Sequence, residues 1–166
     1  MKLIPIRCTD LAAKVSDKDY VYLKQFKWYL HNRHPGVIKT YAVRNKVGCK
    51  TPRVGSIYMH REILGLLRAP KQVETDHKDG DTLNNMRSNL RVATSAQNKA
   101  NKCKQSNGRK SKYKGVTCFY GRKKPWTAFA KGKYLGYFYT EVEAARAYDA
   151  AARVLYGKFA RTNFKD

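Results

Sequence analysis

Apolar positions along the chain come in short runs separated by turn residues, and the spacing inside the runs changes from one third of the chain to the next. Over residues 1–56 the runs YVYLKQFKWYL and TYAVR alternate with turn signals at His34-Pro35-Gly36 and Val47-Gly48, which predicts a small αβ unit. From residue 57 onward Ile57, Ile63, Leu64 and Leu67 recur at roughly helical spacing. Beyond them Val73–His77 reads as a short strand, Lys78-Asp79-Gly80-Asp81 as a turn, and Asn89–Val92 as a second strand. Thr94-x-x-Gln97 has the form of a capping box, so a helix should start there and carry Asn98 about one turn in. Residues 57–102 are thus expected to form one unit, built on a strand, a turn, a strand and a helix.

The pattern then lapses. Residues 99–112, KANKCKQSNGRKSK, lack apolar periodicity, and a basic linker is placed at 103–110. Residues 111–166 predict three strands, near 113–119, 126–131 and 134–139, the last two joined by a tight turn at Gly132-Lys133. A helix follows, opened by the capping box Thr140-x-x-Glu143 and closed by Gly157. Its many alanines allow it to lie close on a sheet. The expected fold class is α+β, with the third unit a three-stranded antiparallel sheet packed on one helix.

Charge changes what these units are expected to do. The chain has 166 residues with 35 Lys and Arg against 12 Asp and Glu, a net charge of +23. An ordinary neutral enzyme is excluded as the default, and so is disorder, because 42% of the residues are hydrophobic. A field of this sign attracts polyanions, nucleic acid first among them. The carboxylates are uneven, with eight in residues 1–81, none in 82–140 and four in 141–166. Over the acid-free stretch, cations interleave with aromatic residues, a composition suited to phosphates and bases. The four cysteines, Cys8, Cys49, Cys103 and Cys118, form no CxxC pair, so free thiols are expected and neither disulfides nor a structural zinc. No apolar run has the length of a membrane span or a signal peptide, which implies an intracellular protein with no membrane partner.

Within 74–101 the polar residues and their spacing fit metal-assisted phosphodiester hydrolysis. Asp76 supplies a hard anionic oxygen and Asn98 an amide oxygen, a sparse ligand pair of the kind Mg²⁺ accepts, with Mn²⁺ as a substitute. His77, with an ordinary pKa of ~6.5, can be neutral and take a proton from the attacking water. Neighbours in a regular strand point to opposite faces, so this use of Asp76 and His77 requires the strand to end or twist there. Asp79 and Asp81 read as turn residues, His31 and His34 as structural, and His60 as packing or a substrate-side contact.

The segment DHKDGDTLNNMRSNLRVATSAQN resembles the motif of HNH endonucleases of the phage and bacterial homing type, over about 45 residues with Met59-His60-Arg61 upstream. That resemblance implies a ββα-metal nuclease core, with His77 as general base, Asn89 holding the hairpin and orienting the base, and Asp76 and Asn98 as metal ligands. It also implies a bacterial or phage-infected host cell. Residues 111–165, with YKGV, Trp126, LGYF, EAARAYDAAA and Asn163-Phe164, resemble the Apetala-two (ethylene-response factor) DNA-binding domain. In that family the sheet enters the major groove, which implies DNA contacts from Lys114, Arg122, Lys123, Lys124, Trp126, Lys131, Lys133 and Tyr134. Several of the family's Arg positions are occupied here by Lys or Thr117, and a Lys cannot give Arg's two-pronged contact to guanine, so the family's base preference does not transfer. The expected function is a homing endonuclease acting on double-stranded DNA with no small-molecule cofactor. The alternatives are a sequence-specific DNA-binding regulator with a vestigial nuclease core, and an RNA-directed protein.

Overall fold

The structure, a computed structural model, describes residues 1–31, 40–46, 55–70, 72–104 and 111–164. The turn signals at 34–36 and 47–48, His34, Cys49 and most of the linker fall outside these residues. The fold is α+β, and the chain divides into two compact units, Met1–Ser95 and Ala96–Asp166.

In the first unit, strands β1 (Lys2–Pro5) and β2 (Ala12–Val15) pair antiparallel and lead into helix α1 (Asp17–Leu23), whose first turn carries Asp17 and Asp19 against the positive end of the helix dipole. Strands β3 (Tyr29–His31), β4 (Tyr41–Asn45) and β5 (Ser56–Tyr58) form an antiparallel sheet, and helix α2 (Met59–Ile63) follows β5 without a loop. The helix is shorter than the apolar spacing from Ile57 to Leu67 suggests, because Ile57 is drawn into β5 by pairing with Arg44. Strand β6 (Val73–His77), the two-residue strand β7 (Asn84–Asn85) and strand β8 (Leu90–Thr94) complete the unit. β6 pairs antiparallel with β8, whereas β7 leaves the hairpin to pair parallel with β2.

A two-stranded ribbon is marginal alone in water. Here its Leu90 enters a core with Ile4, Ile6, Val15, Leu23, Trp28, Met59 and Ile63, so residues 1–56 and the hairpin share one apolar interior. Trp28 is 1% exposed, with its indole N–H donated to Leu23 O at 2.8 Å. Near that core Arg44 pairs with Glu62, both almost fully buried, and stacks its guanidinium 4.0 Å from the Phe26 ring.

The second unit opens at helix α3 (Ser95–Asn101), which starts directly after β8. Strands β9 (Val116–Cys118), β10 (Trp126–Ala130) and β11 (Lys133–Phe138) form an antiparallel sheet in the order β11-β10-β9. Helix α4 (Glu141–Tyr156) packs on one face of it through the fully buried Ala144, Ala145 and Ala152, which meet Val116, Ala128 and Ala130. Both halves of the Thr140/Glu143 capping box are made, worth about 1 kcal/mol to the helix.

Two details differ from the sequence pattern. The β10–β11 turn is Lys131-Gly132, one residue earlier than Gly132-Lys133, because Lys133 already pairs with Ala130 and both turn residues have positive φ (51° and 78°), as a two-residue hairpin turn of the right twist demands. The first strand begins only at Val116. Ahead of it Gly115 has φ 76° and lies so close to the Tyr148 ring that a Cβ would stand 2.0 Å from it, and the Lys114 backbone is bonded on both sides to the Asn163 amide. Asn163 in turn bonds to the buried Asp149 carboxylate.

Candidate active site

β6 ends at His77, and the chain turns away at Lys78. Both Asp76 (3% exposed) and His77 (5%) are buried, although neighbours on a strand face opposite ways. The end of the strand and its two different coverings account for this. Asp76 lies opposite Arg91 in the β6–β8 register, and Arg91 donates to its Oδ2 through Nε at 2.7 Å and through Nη2 at 2.6 Å. His77 is covered by aromatic rings from elsewhere in the unit. His60 meets it edge to face at 5.3 Å between centroids, and Tyr41 lies at 6.2 Å. Tyr58 and Tyr41 flank His60 at 5.4 and 5.3 Å.

Each residue of Met59-His60-Arg61 has a separate task on α2. Met59 is fully buried in the core. His60 faces His77, and its Nδ1 is buried with no hydrogen-bond partner among the described residues. Burial, then the neighbouring His77 and Arg61, push the His60 pKa down to about 3, so its imidazole is neutral at working pH. Arg61 donates to Val73 O at 2.9 Å and to Leu66 O at 2.7 Å, fastening the approach to β6.

The turn between Asp79 and Asn89 is knitted by side chains. Asn89 accepts from the Asp79 backbone N–H at 3.1 Å and donates to Asp79 Oδ1 at 2.9 Å and Asn84 O at 2.8 Å. Desolvation works against the Asp79 charge, but bonds from Asn84, Asn89 and the Asp81 N–H outweigh it and hold its carboxyl below the usual range. Asp81 accepts from Lys14 and from the Leu83 N–H. Against the His77 ring stands Asn85, whose Oδ1 lies 3.4 Å from Nε2. Asn85 is fully buried and is held by the β7 pairing with β2.

Asp76 and His77 are neighbours at the end of β6 and Asn89 lies in the turn that follows, all within the first unit, while Asn98 lies on α3 in the second. Sequence reasoning did not reach Tyr41, Tyr58, Asn85 or Arg91. Arg91 could have been found by aligning the two strands of the hairpin, and Asn85 from the paired asparagines of the motif; the tyrosines leave no local signal. As a metal ligand Asp76 has the right donor, a buried carboxylate oxygen, and a divalent cation there would share the group with the Arg91 guanidinium or displace it. Among the described residues no three His, Cys, Asp or Glu side chains gather as a metal site.

In the second unit Arg122, Lys123, Lys124, Lys131, Lys133 and Tyr134 are exposed. Lys114 is turned inward: its ammonium donates to Ala100 O, and desolvation lowers its pKa to about 8. Trp126 is partly buried and packs against the α4 side of the sheet. Cys8, Cys103 and Cys118 are free thiols. No helix among the described residues is long and apolar enough to cross a membrane.

The HNH endonuclease family model matches residues 68–100, the span from the loop before β6 to α3. An uncharacterized HNH endonuclease of Acanthamoeba polyphaga mimivirus is 31% identical over 156 residues, 91% of this chain and 74% of the relative. No solved structure matches the chain. Since the family match falls on the hairpin that carries Asp76 and His77, and the viral relative aligns far beyond it on both sides, the chain belongs to the HNH endonuclease family.

Proposed function

We propose that the protein is a DNA endonuclease of homing type that hydrolyses phosphodiester bonds with a divalent metal, most simply Mg²⁺. The observation that carries this reading is the adjacency of Asp76 and His77 at the end of β6, on the segment matched by the family model. His77 acts as general base. Its neutral imidazole accepts a proton as the water oxygen forms a bond to phosphorus; the P–O bond to the bridging oxygen breaks, and that oxygen leaves on the other fragment of the same strand, taking a proton from solvent. Asn85 and the His60 ring fix the orientation of the imidazole from two sides, and Asn89 fixes the turn that ends the strand. Asp76 and Asn98 are the proposed metal ligands, and a divalent cation, when held, would stabilise the charge that accumulates on the phosphoryl oxygens.

Double-stranded DNA is the proposed substrate, and the second unit, with its resemblance to the Apetala-two domain, is proposed to supply affinity and site preference. Of the cations assigned to it, Arg122, Lys123, Lys124, Lys131 and Lys133 are the exposed ones, and Lys114 contributes least because its ammonium is already bonded. A plasmid cleavage assay tests the reading. His77→Ala should slow cleavage by about 10²- to 10⁴-fold with DNA affinity nearly unchanged. Chelation should stop wild-type cleavage without unfolding the chain. Cleavage by the variant at the wild-type rate removes His77 from the mechanism, and a regulator with a vestigial core predicts no cleavage by either protein.

A further inference from the structure

The face of the β9–β11 sheet turned away from α4 carries a run of exposed rings. Phe129, Tyr134 and Tyr137 are 37%, 47% and 40% exposed, although all three sit within strands. The register groups them: Phe129 pairs with Tyr134 and Thr127 with Tyr137, while Ala128 and Ala130 on either side of Phe129 face the helix. The ring centroids of Phe129 and Tyr134 are 5.7 Å apart and those of Tyr134 and Tyr137 5.3 Å. Arg122 continues the run. Its guanidinium lies 4.9 Å from the Tyr137 ring, donates to the Tyr137 hydroxyl at 2.6 Å, and reaches Phe119 at 5.8 Å. Phe119, Arg122, Tyr137, Tyr134 and Phe129 thus form one stripe, and residues 113–140 hold six Lys and Arg and no carboxylate.

We propose that this stripe is a stacking platform for unpaired bases, so that the second unit takes single-stranded nucleic acid in addition to the duplex, with phosphates against Arg122, Lys131 and Lys133. The proposal rests on the reading that the second unit holds duplex DNA, and adds the unpaired strand as a second form. Exposed rings gain little from a duplex, whose bases offer only their edges in the grooves, and gain most from the open face of an unpaired base. The strand side chains on that face are Thr117, Thr127, Phe129, Tyr134 and Tyr137, of which three are rings. A second copy of the chain is a poor occupant, because residues 96–166 carry 17 Lys and Arg against 4 Asp and Glu and two such faces repel.

The test uses the full-length chain with metal withheld, an oligo(dT) carrying one 2-aminopurine, and a blunt duplex of the same length. The wild type should bind the single strand and quench the 2-aminopurine by stacking. Phe129→Ala, Tyr134→Leu and Tyr137→Ala should each weaken single-strand binding by roughly 5- to 100-fold, and Phe129→Ala and Tyr137→Ala should leave duplex affinity within about twofold. Tyr134→Phe, which keeps the ring, should bind the single strand as the wild type does, separating stacking from a loss of fold. If the ring substitutions weaken duplex and single strand alike, or leave the single strand unaffected, the stacking proposal falls while the nucleic-acid reading of the unit stands. If the wild type binds neither oligonucleotide, that underlying reading falls with it.

Discussion

A buried histidine beside the proposed base gives the site a pH signature of its own. His60 is held neutral in the fold, with its pKa pushed down to about 3 by burial and by His77 and Arg61, whereas in the unfolded chain it titrates near 6.5. Below that value the unfolded state binds a proton that the folded state does not. Stability should therefore fall as pH drops from 6.5 towards 3, by up to about 1.4 kcal/mol per pH unit from this group. Melting temperatures of the wild type and His60→Gln, compared at neutral pH and in mild acid, check this: the variant should lose less on acidification, and equal losses would mean that folded His60 accepts a proton. Asp76 offers a second residue-level test. Removing its partner with Arg91→Ala leaves a carboxylate 3% exposed without its guanidinium, which should cost about 3–5 kcal/mol. If Asp76 binds the divalent cation, Mg²⁺ should restore part of that loss in thermal unfolding, since a bound cation replaces the missing charge. A melting temperature indifferent to Mg²⁺ takes Asp76 out of the ligand set.

At the scale of elements, the hairpin works because its turn is locked from within. Asn89 closes three hydrogen bonds across it and sits next to Leu90, which pairs with His77 and anchors the ribbon in the core. Asn89→Ala should destabilise the first unit by about 2–3 kcal/mol, since buried groups of the turn are left unpaired. It should slow cleavage more than it weakens DNA binding; a variant with wild-type stability and rate would mean the turn holds its shape without the amide. Such local devices are also what made these elements legible in sequence. The Asp-Gly turn, the Thr140/Glu143 cap and the alternation in β10 and β11 act between residues a few positions apart, and the strands, the turn and α4 stand within a few residues of where the pattern predicts them. Ile57 went otherwise, because pairing with Arg44 on a distant strand outweighed a weak helical spacing.

Over the whole molecule, charge is divided between the units: residues 96–166 hold 17 of the 35 Lys and Arg but only 4 of the 12 carboxylates. Counterion release should be shared accordingly. Truncation after Lys104 should flatten the slope of log affinity against log salt by roughly two to four units, at ~0.9 unit for each duplex phosphate no longer neutralised, and should abolish site preference. A fragment that keeps both the slope and the preference would assign recognition to the first unit. The charge, the acid-free stretch and the Asp76-His77 hairpin were determined by the sequence alone, because net charge is additive and turn chemistry is local. Only the tertiary structure decided what surrounds those two residues. Arg91 meets Asp76 through the strand register; Asn85 reaches His77 because β7 leaves the hairpin to pair with β2; Tyr41, Tyr58 and His60 cover the ring from β4, β5 and α2. Lys114, a surface cation by composition, turned inward to Ala100. These pairings join segments up to tens of residues apart, and the packing that selects them is set by the shape and burial of the assembled core, for which short-range spacing carries no signal.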